Sequence, residues 1–115
     1  MLIMSFNVRG FGGAPKMLAL TEIFFAVRPV VILIQETMVG HQRDKDVFLN
    51  LCRSWCCVAL DSVGSSGGVL STWNPYVCHF EAFQLGIGIL LEGLVSRFSF
   101  PVKVLNVYGP YKDRA

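Results

Sequence analysis

Apolar residues along the chain fall into short runs separated by glycine, proline and polar clusters. The first run, Met1 to Val8, is rich in β-formers and ends at Arg9-Gly10-Phe11-Gly12-Gly13, the pattern of a buried strand closing in a glycine-rich turn. Pro15 then stands where a first helical turn tolerates it. Met17, Leu20, Ile23, Phe24 and Val27 recur at helical spacing, an apolar stripe that stops before Pro29. Val30 to Ile34 is a second buried run, ended by Gln35-Glu36-Thr37. Strand, helix and strand within about 35 residues make a βαβ unit, so its two strands are expected to be parallel neighbours.

Beyond Thr37 the character changes. Met38 to Lys45 is polar and reads as a loop, and Asp44 to Arg53 predicts a short helix with Val47, Phe48 and Leu51 inward. Trp55 to Leu60, Gly68 to Trp73, Val77 to Phe83, Ile87 to Phe98 and Val102 to Tyr108 are strand-like. They are broken by Gly64-Ser65-Ser66-Gly67-Gly68, Asn74-Pro75, Gly86 and Pro101, which is hairpin spacing. Residues 1–115 thus read as one α/β domain, a βαβ unit followed by antiparallel strands. A sheet so built has one helix-covered face and one bare apolar face, a surface open to association. The chain turns polar at Tyr111 to Ala115, just after a strand, with no closing helix. Both features predict the first half of a larger domain.

Composition narrows the class. Of 115 residues 53% are hydrophobic and 16% charged, which excludes a disordered chain, and a net charge of +2 is weak steering toward any polyanion. The longest aliphatic run, Val30 to Ile34, is far short of a membrane span, and the N-terminal stretch has neither a basic region nor a long apolar region of the secretory kind. An intracellular protein, nuclear or cytoplasmic, is expected. The cysteines at 52, 56, 57 and 78 lack C-x-x-C spacing and read as small buried hydrophobes of a reducing compartment.

Three polar side chains interrupt apolar strands where chemistry is possible. Asn7 lies near the end of the first strand and Glu36 at the end of the second. Parallel neighbours bring both to the same sheet edge, the edge at which ligands bind in open α/β sheets. Two readings of the pattern stand side by side. In one, the carboxylate and amide hold a divalent cation, with Mg²⁺ suited to a few oxygen ligands. In the other, Asn7 caps the turn at Arg9-Gly10 and Glu36 pairs with a basic residue. Arg9 follows Asn7 and is placed to meet phosphate. Tyr108 ends the last strand on the face of Phe100, Val102, Val104 and Asn106, either as a phosphate contact or as an amphipathic residue at the core edge. The 64–68 segment lacks the Gly-Lys-Ser/Thr ending of a P-loop and reads as a hairpin loop. His41 and His79 read as structural or exposed.

Ser5-Phe6-Asn7-Val8-Arg9-Gly10, Ile34-Gln35-Glu36-Thr37, Ser66-Gly67-Gly68-Val69 and Asn106-Val107-Tyr108-Gly109-Pro110 occur in the order seen in the endonuclease/exonuclease/phosphatase superfamily. The stretch Leu60 to Gly68, Trp73-Asn74-Pro75 and the tail Asn106 to Arg114 resemble the endonuclease domain of plant LINE-type retroelements, over the N-terminal half of that domain. The resemblance implies half of a four-layer α/β sandwich, with two sheets face to face and helices outside. It implies Mg²⁺ on Glu36 with help from Asn7, Asn7 and Tyr108 in catalysis, and Tyr108 against phosphate. The implied partner is nucleic acid, DNA first, and the implied reaction is phosphodiester hydrolysis. The family's Asp-x-Asn and Ser-Asp-His motifs have no counterpart in the 115 residues. This leaves open whether the chain is an enzyme and points to a fragment inactive alone. The alternatives are a non-catalytic remnant that associates through its bare sheet face, and a piece of a related phosphatase or lipid phosphodiesterase.

Overall fold

The computed structural model describes residues 1–9, 14–37, 42–60 and 67–107, without the side chains of residues 14, 42–45 and 47. The βαβ unit forms as its pattern dictates: β1 (Ile3–Asn7), α1 (Ala14–Val27) and β2 (Val31–Gln35), with β1 and β2 parallel. α1 buries Met17 and Leu20, whereas Val27, at the end of the same stripe, is exposed in the last turn. Arg28 closes the helix with φ 51, the left-handed position usually taken by glycine, and its N–H donates to the Phe24 carbonyl at 3.0 Å.

α2 (Gln42–Leu51) follows, then β3 (Cys56–Leu60) and β4 (Val69–Trp73). β4 enters between β2 and β3, antiparallel to both, so the first sheet is mixed with order β1-β2-β4-β3. β5 (Cys78–Leu85), β6 (Gly88–Val95) and β7 (Val102–Val107) form a separate antiparallel meander. A two-residue turn at Gly86-Ile87 joins β5 to β6, because Leu85 pairs with Gly88.

Period-two alternation separates two cores. Ile32, Ile34 and Leu70 face the helices, packing with Val8, Met17, Leu20, Phe48 and Cys52. Val31, Leu33, Val69 and Trp73 face the other way and meet Cys78, Ile89, Leu91, Val95 and Val104 of the second sheet. β2 is therefore buried on both faces, which is why its run is continuous rather than alternating.

This arrangement corrects the expectation of one sheet with a bare inner face. The meander folds over that face and makes a helix–sheet–sheet stack, part of an α/β sandwich with two facing sheets. Among the described residues, two strand surfaces are open instead. On the inner side of β1, Ile3, Ser5 and Asn7 are exposed. The outer face of the second sheet shows Phe83, Leu85, Leu94, Leu105 and Val107. The cysteine expectation holds for only two of four: Cys52 and Cys78 are buried, while Cys56 and Cys57 lie exposed on the edge strand β3. Burial pushes the Cys78 thiol pKa up and, with the nearby Cys57, pushes that of Cys52 to about 11.

Candidate functional site

Asn7 is the last residue of β1, and its register partner on β2 is Gln35. Glu36, the next residue, thus leaves the sheet level with Asn7. The Asn7 side-chain Nδ2 donates to Glu36 Oε2 at 2.7 Å. Its Oδ1 accepts from the Arg9 backbone N–H at 3.1 Å. A backbone N–H only donates, so the atom facing it is the amide oxygen, and the NH₂ is left to face the carboxylate. The amide orientation follows from chemistry alone.

Both strand exits bend sharply here. Arg9 has φ 50 and Glu36 has φ 56, left-handed conformations that cost a non-glycine residue about 1–2 kcal/mol each. Backbone outliers of this kind gather where a side chain must be aimed. Glu36 is half-buried, and Asn7 and Arg9 are exposed. The Lys16 ammonium, from the first turns of α1, donates to the Arg9 carbonyl at 3.2 Å and brings a second cation to this edge. Lys16 is not among the site residues read from the sequence.

The glycine-rich stretch ends at the same place. Gly67 and Gly68 have φ 88 and 89, and the Thr37 N–H donates to the Gly68 carbonyl at 3.3 Å. Residues 61–66 of that stretch lie outside the described residues, as do His41 and Tyr108; nothing in the structure bears on the roles given to Tyr108. His79 is exposed on the outer face of the second sheet.

A further residue reaches the site from below. Asn106 of β7 is 1% exposed, and its Nδ2 donates to the Leu70 carbonyl at 2.9 Å, Ser71 Oγ at 3.0 Å and the Ile34 carbonyl at 3.4 Å. Its Oδ1 accepts from Gln35 Nε2 at 3.0 Å, and the same Nε2 donates to Ser5 Oγ at 3.1 Å. The signal was present in the sequence, since Asn106 is the one polar residue on a face otherwise made of Val102 and Val104.

The donors suit a hard cation. Glu36 offers carboxylate oxygens whose described partner is one amide N–H, and Asn7 Oδ1 keeps a second lone pair beyond the Arg9 bond. Among the described residues no three His, Cys, Asp or Glu side chains cluster, which a closed zinc site would need and a magnesium site, with its retained waters, does not.

No family model and no curated protein matches the chain. Solved structures do. Truncated TDP2 from Caenorhabditis elegans superposes with a TM-score of 0.62 at 17% identity, over 90% of this chain and 43% of its own. The 3′ phosphatase NExo from Neisseria, bound to a product DNA hairpin, superposes with a TM-score of 0.56 at 20% identity, over 91% and 40%. The AP endonuclease LMAP from Leishmania major gives 0.60 at 19%, over 92% and 39%. The chain spans about two fifths of the length of each of these structures. Among the described residues no helix is long and apolar enough to cross a membrane.

Proposed function

We propose, from the premise that this chain has part of the endonuclease/exonuclease/phosphatase fold, that it is a fragment of a divalent-metal-dependent, phosphodiester-cleaving nuclease domain of retroelement type, inactive alone. The observation that carries this reading is the 2.7 Å contact between Asn7 Nδ2 and Glu36 Oε2 at the C-terminal edge of two parallel strands. Glu36 would hold Mg²⁺, with help from Asn7, whose NH₂ fixes one oxygen of the carboxylate. The cation, when bound, supplies positive charge for the oxygens of a scissile phosphate.

The chain's own residues do the positioning. Asn7 fixes one carboxylate oxygen of Glu36, and the Arg9 backbone fixes Asn7. The side chains of Arg9 and Lys16 give this edge a local positive charge for a nucleic-acid phosphate, DNA being favoured by the motif order. Tyr108 is assigned a phosphate contact and a catalytic part by the motif Asn106-Val107-Tyr108 alone. Inactivity follows from the missing Asp-x-Asn and Ser-Asp-His sequences, because catalytic groups act as a unit and losing one forfeits most of the rate. The retroelement type rests on the stretch from Leu60 to Pro75 and on the tail.

The test is Mn²⁺ or Mg²⁺ titration together with hydrolysis of supercoiled and abasic DNA by the 115-residue chain. Metal binding that Glu36→Ala removes, with no nicking, is the expected result. Nicking that Glu36→Ala abolishes would overturn inactivity, and absence of metal binding would overturn the site.

One observation favours a second, non-catalytic reading. The outer face of the second sheet presents Phe83, Leu85, Leu94, Leu105 and Val107 to solvent. Concentration-dependent association of copies in sedimentation supports it, and a stable 12.8 kDa monomer counts against it.

A further inference from the structure

We infer that Asn106 is a positioning residue for the Asn7–Glu36 pair, acting across the gap between the sheets through the Gln35 amide; its importance for chemistry rests on the reading of Glu36 as the working carboxylate. The Asn106 backbone belongs to the second sheet, while the described partners of its side chain belong to the first. The Leu70 and Ile34 carbonyls accept only, so they force its NH₂ toward β4 and β2. The Oδ1 must then face Gln35, and that in turn forces Gln35 to present Nε2. The second proton of Nε2 goes to Ser5 Oγ on β1. Orientation is thus handed from main-chain carbonyls to Asn106, from Asn106 to Gln35, and from Gln35 to Ser5.

The chain of bonds ends directly beneath the site. Gln35 precedes Glu36 and registers with Asn7, and Ser5 lies two residues before Asn7 on the same face of β1. No strand ladder holds Glu36 in its φ of 56; its backbone is anchored on one side by Gln35 and on the other by Thr37, whose N–H donates to the Gly68 carbonyl at 3.3 Å, so a shift of Gln35 is felt at its carboxylate. The Gln35 backbone is paired with Asn7 on β1 and Val69 on β4, with its carbonyl accepting from the Val8 N–H at 3.1 Å, and its side chain is held by the Asn106 and Ser5 bonds.

Adhesion of the sheets does not explain the residue. Val102 and Val104 on the same face of β7 pack without polar atoms. Replacing a buried hydrogen-bonded set by apolar groups of the same shape is often nearly neutral for stability. The polar residue sits at the one level of β7 that lies against Gln35.

The experiment follows the Asn7 side-chain amide protons by NMR in the full chain, first without metal and then with Mn²⁺ as a paramagnetic probe. Three variants are compared. Gln35→Met keeps the volume of a half-buried side chain and removes the relay. Asn106→Ser removes its source. Ser71→Ala removes a buried partner of Asn106 while leaving the Gln35 bond in place. Without metal, Gln35→Met and Asn106→Ser should move the Asn7 amide protons toward free-amide shifts, and Ser71→Ala should not, whatever stability each loses. With Mn²⁺, Gln35→Met should need about 10–100-fold more metal to broaden them, the usual penalty for losing an orienting partner. Should Asn106→Ser fail to fold, Gln35→Met against Ser71→Ala decides. Equal Asn7 shifts in Gln35→Met and Ser71→Ala would overturn the inference. Wild-type protons that Mn²⁺ never broadens would overturn the metal reading instead, with the metal-free comparison still deciding the relay.

Discussion

Asn7 and Glu36 are 29 positions apart in sequence and 2.7 Å apart at the Nδ2–Oε2 contact. The closeness is a product of topology. A parallel pair with Asn7 opposite Gln35 brings the two strand exits level, and left-handed φ values at Arg9 and Glu36 turn both exits at that level. The Arg9 N–H then decides which end of the amide meets the carboxylate. Asn7 is thus oriented by a backbone N–H outside the pair and in turn orients the Glu36 carboxylate, as an outer partner does for a ligand.

Glu36→Gln isolates charge from shape. The new side chain still accepts from Asn7 through Oε1, so the fold and the contact should survive. Metal affinity should fall by more than about 100-fold, beyond the 10–100-fold typical of an outer-shell partner. Calorimetric titration with Mn²⁺, alongside an unchanged far-ultraviolet circular dichroism spectrum, checks both halves.

Asn7→Asp inverts the contact. A donor facing Glu36 becomes a second carboxylate at the same distance, and two carboxylates so close cannot both ionise freely. Without divalent cation the variant should be less stable than the parent by about 1–2 kcal/mol. Millimolar Mg²⁺ should recover that loss, because a ligand that binds only the folded state raises its stability. Thermal melts with Mg²⁺ and with a chelator measure the difference, and a melt insensitive to Mg²⁺ would count against the site.

Much of this was readable from residues. Both cores follow from alternation: Ile32 and Ile34 go one way, and Val31 and Leu33 the other. The shared edge for Asn7 and Glu36 follows from a βαβ unit, because parallel strands end together. The second sheet was not readable from pattern, since short strands at hairpin spacing fit an extension of one sheet as well as a second layer. What decides is β4 inserting between β2 and β3, which leaves β5 to β7 no edge beside β2 and folds them over its inner face. Cys56 and Cys57 misled for a related reason: apolar residues of an edge strand look like those of a central one until strand order is known. Asn106 was visible as a polar residue in an inward position, but its partners lie on β2 and β4, more than 30 residues away.

Gly93 should be intolerant of any side chain. A Cβ there would stand 2.0 Å from the His79 carbonyl oxygen, a backbone atom of the neighbouring strand that has no rotamer to change. Gly93→Ala should therefore push β5 away from β6 and cost about 2–4 kcal/mol, the upper range for point changes. By contrast Gly86, at the hairpin turn, has open space around its missing side chain. Denaturant midpoints for Gly93→Ala and Gly86→Ala should differ accordingly, and hydrogen exchange should show the loss concentrated in β5.

Alkaline stability should carry the mark of Cys52. Its residue is 4% exposed, and burial first, then the charge of Cys57, raises the thiol pKa from an ordinary 9.0 to about 11. A folded-state pKa above the unfolded one means that the folded state binds more protons between those values. Stability is then complete below pH 9 and declines as pH rises toward 11, levelling off above it. At about 1.36 kcal/mol per unit the decline amounts to roughly 2–3 kcal/mol. Cys78, raised by its own burial, adds to the slope in the same direction. Unfolding free energies measured from pH 8 to 11 should fall less steeply in Cys52→Ala than in the parent, whatever the variant's stability at pH 8. Parallel slopes would show that the Cys52 thiolate forms as readily in the folded chain as in the unfolded one.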